Sequence, residues 1–244
     1  MASSQYKINY GKNGLSFPLP DNFLVDIAAK EGLPQIQELE TGIKQALDSP
    51  VNSLPLTQTL SSKSQVCIVV TDNTRPCPNH LLLPPLLEKL LSAGVKRERI
   101  KILIGGGLHR TLGSQEKAAL LGQEVCQSFE ICDHNASDKE RMRSLGSTDR
   151  GTPVEVNRLV WEADFVISTG VIEPHQYAGF SGGRKTVAIG AAGEETIKTT
   201  HNYHFLNDEF AFPGNLSNNL FHEEISAIAD RMGLSFILNV ILND

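Results

Sequence analysis

The densest gathering of reactive groups in the sequence is a glycine-rich run, Gly179-Phe180-Ser181-Gly182-Gly183-Arg184-Lys185-Thr186. Glycine lets a main chain approach a ligand closely and adopt positive φ, so such a run can turn its N–H groups toward a phosphate. A lysine and a hydroxyl follow at once. The spacing nearly gives the G-x-x-x-x-G-K-[ST] loop of nucleotide triphosphatases, but Arg184 stands where that motif needs glycine. This argues against an ordinary P-loop, and a flexible turn with a solvated Arg-Lys pair is the plainer alternative.

His109, His175 and His201 form a second constellation. An imidazole titrates near neutrality and binds metals, so each is a candidate ligand, general acid/base or ordinary loop residue. Three imidazoles also suit a zinc hydrolase. Arg75 is the third feature, because a guanidinium holds a carboxylate or phosphate through two parallel hydrogen bonds. Asp72, three residues earlier, is placed to orient it, or the two simply pin the turn before Pro76. His80, His204 and His222 lack comparable context and are read, with His134, as surface or supporting residues.

The elements that carry these residues alternate in type. Apolar strand-like runs at 66–71, 101–105, 128–133, 164–170 and 235–242 are separated by helical patterns at 79–93, 114–121 and 216–232. Such alternation marks an α/β fold with a mostly parallel, Rossmann-like sheet and flanking helices. Pro84-Pro85 leaves the start of the first of these helices open, since proline suits only a helix's first turn. Upstream, residues 6–10 and 15–17 alternate around an Asn-Gly turn and read as a short N-terminal β-hairpin. Residues 22–50 carry helical signals before a Pro/Ser-rich stretch at 49–55. The expected organisation is a hairpin and helical lead-in over 1–60, then an α/β domain over 61–244.

Open α/β sheets bind ligands at the carboxyl ends of their strands. There the sequence puts Asp72–Arg75, Gly105–Arg110, Asp133–Asn135 and Glu173–Lys185, so four loops are expected on one rim.

Composition narrows the partner. The 244 residues are 40% hydrophobic and 20% charged, enough to bury a substantial core, and the net charge of −6 comes with scattered Lys and Arg. A small-molecule partner is expected, with no nucleic acid and no membrane. Four cysteines without C-x-x-C spacing, and no leader-like apolar start, point to reduced thiols in the cytoplasm. Cys67, inside an apolar strand, is expected to be buried and inert.

Asp72-Asn73-Thr74-Arg75-Pro76, Gly107-Leu108-His109-Arg110, Pro174-His175, Ala178–Lys185 and His201-Asn202 occur in one order over residues 72–202. In that order and spacing the segments resemble the nickel-pincer-dependent lactate racemase family, N-terminal lobe. The resemblance implies a pyridinium mononucleotide cofactor bearing two sulfur groups that hold nickel, tethered covalently to Lys185. His201 would be the histidine ligand of the metal. Ser181, Gly182, Gly183 and Thr74 would adjoin the cofactor. His109 and His175 would be the acid/base pair, Arg75 the clamp on the substrate carboxylate, and Asp72 a further substrate-binding group.

The implied reaction is racemisation or epimerisation of a 2-hydroxy acid, lactate or a relative. Its α-hydrogen is too weakly acidic for easy removal beside a carboxylate, so hydride abstraction coupled to loss of the hydroxyl proton avoids a dianionic carbanion. The planar 2-oxo acid can take hydride back on either face, and each histidine would serve one enantiomer. Cofactor-building and cofactor-loading proteins are implied partners. Family members also carry a second, C-terminal lobe absent from this sequence, so the isolated lobe is expected to be an inactive fragment. The competing readings are a non-catalytic cofactor- or metal-binding module and a zinc-dependent hydrolase.

Overall fold

The computed structural model describes residues 2–8, 10–11, 13–27 and 32–243. Compactness divides the chain into residues up to 35 together with Asn243, and residues 36–242.

In the first unit β1 (Ser3–Ile8) pairs antiparallel with β2 (Leu15–Pro20), Tyr6 opposite Phe17 and Ile8 opposite Leu15. This is the expected hairpin. Asn9, Lys12 of its connection, and residues 28–31 of the expected helical lead-in lie outside the described residues. Leu33 and Asn243 exchange two hydrogen bonds, Leu33 N–H to Asn243 Oδ1 at 3.0 Å and Asn243 Nδ2 to Leu33 O at 2.8 Å.

The second unit opens with α1 (Leu39–Asp48) and α2 (Leu56–Thr59), followed by β3 (Val66–Thr71), α3 (Asn79–Ser92) and β4 (Ile100–Gly105). Next come α4 (Ser114–Leu121), α5 (Gln123–Ser128) and β5 (Glu130–Asp133). A hairpin of β6 (Met142–Ser147) and β7 (Pro153–Asn157) precedes α6 (Arg158–Trp161) and β8 (Phe165–Val171). Two short strands, β9 (Pro174–His175) and β10 (Gly179–Phe180), lead into α7 (Arg184–Ala188), α8 (Glu194–Thr200) and α9 (Tyr203–Leu206). The unit ends with α10 (Leu220–Arg231) and β11 (Leu234–Val240).

Ile43, Leu47 and Leu56 of α1 and α2 are buried in one cluster with the leucines of α3. The two helices therefore belong with the sheet, and the division falls near residue 36 instead of 60. Asn219 Oδ1 accepts from His222 N–H at 2.9 Å and caps α10, so that helix begins at 220 and not at 216. Ser128 ends α5, which delays β5 to Glu130. The prolines of α3 do not break it. They lack the amides that would bond the His80 and Leu81 carbonyls, and both of those residues are exposed.

Five parallel strands form the sheet in the order β11-β8-β3-β4-β5. Read from β5, with strands numbered along the chain, this is 3-2-1-4-5, and the order reverses between β3 and β8. Side chains alternate across a strand, so Val66, Ile68 and Val70 enter one core cluster while Cys67 and Val69 enter the other. With helices on both faces the strands read as continuous apolar runs. Cys67 is fully buried, and burial pushes its thiol up to about 12, as expected of an inert cysteine. All four cysteines are free. Among the described residues no helix is long and apolar enough to cross a membrane.

Candidate active site

A cleft of about 300 Å³ opens at the carboxyl ends of β3, β4 and β8, where the strand order reverses. Asp72, Thr74, Arg75, His109, His175, Ser181, Gly182, Lys185 and His201 all line it. Gly183 does not, and instead lines a cavity of about 240 Å³ behind the glycine loop.

The fourth expected loop, after β5, stays outside the cleft. His134 is only 3% exposed, with Nε2 donating to Ala192 O at 2.8 Å and Nδ1 accepting from Asn157 Nδ2 at 3.1 Å. It is a buried structural residue, not a surface one, and burial lowers its pKa to about 4. Asp133 pairs with Lys117.

The glycine loop is fastened more than its composition suggested. Ser181 Oγ donates to Val171 O at 2.6 Å and accepts from Glu173 N–H at 3.0 Å, which commits the hydroxyl to the fold. Gly183 N–H donates to Asn239 Oδ1, and its carbonyl accepts from Ser168 Oγ, at 3.1 and 3.2 Å. The amides of Lys185 and Thr186 donate back to Gly182 O and Gly183 O. The loop thus directs few free N–H groups at a ligand, contrary to the phosphate cradle expected from its glycines. Those glycines serve close packing: Gly182 has φ +77°, and a Cβ on Gly170 would fall 2.7 Å from Gly182 Cα.

The loop holds Lys185 half-buried. Burial, and then the nearby Arg75 charge, lower its pKa to about 8, with Asp72 opposing. The neutral, nucleophilic amine is therefore more populated near neutrality than in an ordinary lysine. Among the described residues no hydrogen bond or ion pair engages the Arg75 guanidinium, so its fork is available to an anion in the cleft.

Asp72 does not pair with that guanidinium. The Arg75 backbone N–H donates to Asp72 O at 3.4 Å, while the carboxylate, 5% exposed, lies with Oδ2 2.6 Å from His109 Nδ1. Its Oδ1 accepts from the Thr74 amide and hydroxyl at 3.2 and 2.6 Å. Thr74 is therefore tied to Asp72. His175 is buried, and its Nδ1 accepts from the Tyr177 and Ala178 amides at 3.3 and 3.2 Å. Burial, followed by the charges of Lys185, Arg75 and His201, lowers its pKa to about 4.

His201 closes α8. Its Nδ1 donates to Ile197 O at 2.9 Å, an acceptor that requires the proton on Nδ1 and leaves the Nε2 lone pair free. Metal-binding histidines are commonly fixed in this way, by a carbonyl on the other ring nitrogen. Among the described residues no three His, Cys, Asp or Glu side chains are grouped to hold a metal. The three imidazoles share a cleft without forming the zinc site considered above.

Two residues were not singled out from the sequence. Thr186 lines the cleft with a buried Oγ1 that has no partner among the described residues; its place after lysine in the near-P-loop motif was the available signal. Asn239, from β11, fastens Gly183 across 56 residues, and no local pattern announces such a contact.

The model of the lactate racemase N-terminal domain matches residues 10–212. A lactate racemase from Thermoanaerobacterium thermosaccharolyticum is 35% identical over 239 residues, covering 97% of this chain and 56% of the relative. One from Lactiplantibacillus plantarum is 36% identical over 210 residues, covering 86% and 49%. The chain thus spans about half the length of these curated relatives. The lactate racemase apoprotein structure from T. thermosaccharolyticum superposes with a TM-score of 0.87 at 33% identity, over 98% of this chain and 56% of that one. A Thermotoga maritima protein of known structure shares the fold at TM-score 0.68 and 24% identity, over 88% of this chain and 53% of that one. With its family model, its relatives and its fold in agreement, the chain belongs to the lactate racemase N-terminal domain family.

Proposed function

We propose that this chain is the cofactor-carrying part of a racemase or epimerase acting on a 2-hydroxy acid, lactate or a close relative, with a nickel-pincer nucleotide as cofactor. The observation that carries the reading is the company His201 keeps. One imidazole with a free Nε2 shares a cleft with a half-buried lysine of lowered pKa and two further imidazoles.

A single protein ligand cannot hold a metal firmly, so a metal in this cleft must bring other donors with it. A nickel-pincer nucleotide does so, and imidazole is a suitable donor to Ni(II). The hydroxyl of Thr186, without a partner among the described residues and next to Lys185, offers a polar atom to the nucleotide end. When bound, the cofactor would supply the hydride acceptor.

This chain's own residues would do the rest. Lys185 would tether the cofactor through its neutral amine. Arg75 would clamp the substrate carboxylate with its unengaged fork, and orientation of that kind can contribute several kcal/mol toward the barrier. His109 and His175 would exchange the hydroxyl proton.

Intact-mass and metal analysis of the protein from its native host tests the reading. A mass addition on Lys185 with stoichiometric nickel is expected, and Lys185→Ala should lose both. His109→Ala should keep the adduct and lose interconversion. An unmodified mass without nickel from that source would overturn the proposal in favour of a cofactor-free binding module.

A further inference from the structure

Two ring nitrogens in the cleft are held by partners of opposite character. A carboxylate only accepts, so Asp72 Oδ2 at 2.6 Å from His109 Nδ1 requires the proton on Nδ1 and leaves an Nε2 lone pair. A backbone N–H only donates, so the Tyr177 and Ala178 amides require a lone pair on His175 Nδ1 and place its proton on Nε2. Both arrangements are braced. Thr74 occupies the other Asp72 oxygen, and the 175–178 turn is held by the His175–Gly179 pairing and by Asn219 Nδ2 donating to Tyr177 O at 2.9 Å.

We propose that Asp72 is a positioning residue that commits His109 to accepting a proton, while the Tyr177–Ala178 turn holds the neutral His175 ring with its N–H toward the cleft as a hydrogen-bond donor that cannot take a proton there, so the cleft serves the two hands of a 2-hydroxy acid by unequal routes. The inference rests on the racemase reading above. For one hand, the substrate O–H bond would break, its proton would form N–H on His109 Nε2 and the imidazolium charge would face Asp72, while the cofactor, when bound, would supply the hydride acceptor. For the other hand, His175 must take the proton at Nε2, where it already carries one. Freeing Nε2 puts a proton on Nδ1, which faces two N–H donors, so this route requires the 175–178 turn to release the ring.

Ring-nitrogen NMR of the cofactor-free chain with ¹⁵N-labelled histidine tests this, with signals assigned through His109→Gln and His175→Gln. The expected spectrum at neutral pH has His109 protonated at Nδ1 and His175 at Nε2. In Asp72→Asn, Thr74 N–H still demands the side-chain oxygen, so the amide NH₂ faces His109 and should shift its proton to Nε2, with His175 unchanged. The same tautomer on both wild-type rings, or a His109 signal unmoved in Asp72→Asn, would overturn the proposal. Should that variant not fold, the wild-type spectrum alone decides. No turnover enters the measurement, so failure here is distinct from failure of the nickel and mass test.

Discussion

Leu82, Leu83, Leu86, Leu87 and Leu90 pack large side chains from α3 over one face of the sheet, whereas Ala188, Ala191, Ala192 and Ala229 cover much of the other. The leucine face maximises apolar burial. The alanine face also buries Phe221, Ile225 and Ile228, and its small residues let main chains approach, as where Gly107 N–H reaches Gly190 O at 3.1 Å. Polar groups fill that close-packed side: Ser168 on the Gly183 carbonyl, Thr196 Oγ1 on Pro153 O, and His134 between Asn157 and Ala192. Both faces bury large apolar side chains, and the second adds polar contacts around its close main-chain approaches.

The largest effect that sharpens this contrast is on the leucine face. Leu86 is fully buried, so Leu86→Ala should lower unfolding free energy by about 2–5 kcal/mol, read by denaturant titration. The pH profile of Lys185 acylation should not move. A shifted profile would show that the two faces are mechanically coupled.

The second effect belongs to the alanine face and appears in acid. His134 and His175 both have folded pKa values lowered to about 4, chiefly by burial, against an unfolded value near 6.5. Between these values the unfolded chain binds more protons, so stability falls as pH drops from about 6.5 toward 4 and is restored above that window. Buried His134 should account for roughly 3 kcal/mol at most, and His175, at the edge of the open cleft, for less after solvent screening. Chemical denaturation at pH 7 and pH 4.5 measures the loss, and His134→Gln should flatten it. An equal slope in that variant would assign the acid sensitivity elsewhere.

Long elements were far more legible in the sequence than short ones, α10 included apart from its first residues. Strands β3, β4, β8 and β11 and helices α3 and α4 were evident because long apolar runs and 3.6-residue patterns are local signals. The β6–β7 hairpin and short helices α7 to α9 were not, since four to seven residues carry too little periodicity. Within the cleft, residue types and order located Arg75, His109, His175, Lys185 and His201, but not their partners. Asp72 looked like a mate for Arg75, three residues away, and turned to His109, 37 residues away, because a buried carboxylate takes whichever donors the fold delivers. Ser181 and Gly183 looked like ligand-facing groups and instead fasten their own loop. Sequence spacing reports what a residue can do, while long-range packing decides which partner it meets.

The smallest effect tests that long-range fastening. Asn239 Oδ1 accepts the Gly183 N–H at 3.1 Å and sits where a Cβ on Gly170 would meet it at 2.8 Å, bracing the loop just before Lys185. Asn239→Ala removes one hydrogen bond and should cost about 1 kcal/mol of stability, less than Leu86→Ala. Its informative consequence is electrostatic. A loosened loop admits water to Lys185, so the ammonium is favoured and the pKa rises from about 8 toward the ordinary lysine value. Mass-spectrometric acylation at Lys185 across pH should therefore show a midpoint moved upward in Asn239→Ala but not in Leu86→Ala. A midpoint that stays near 8 in both would mean that packing around α7 alone keeps the amine dry, and that the contact from β11 serves stability only.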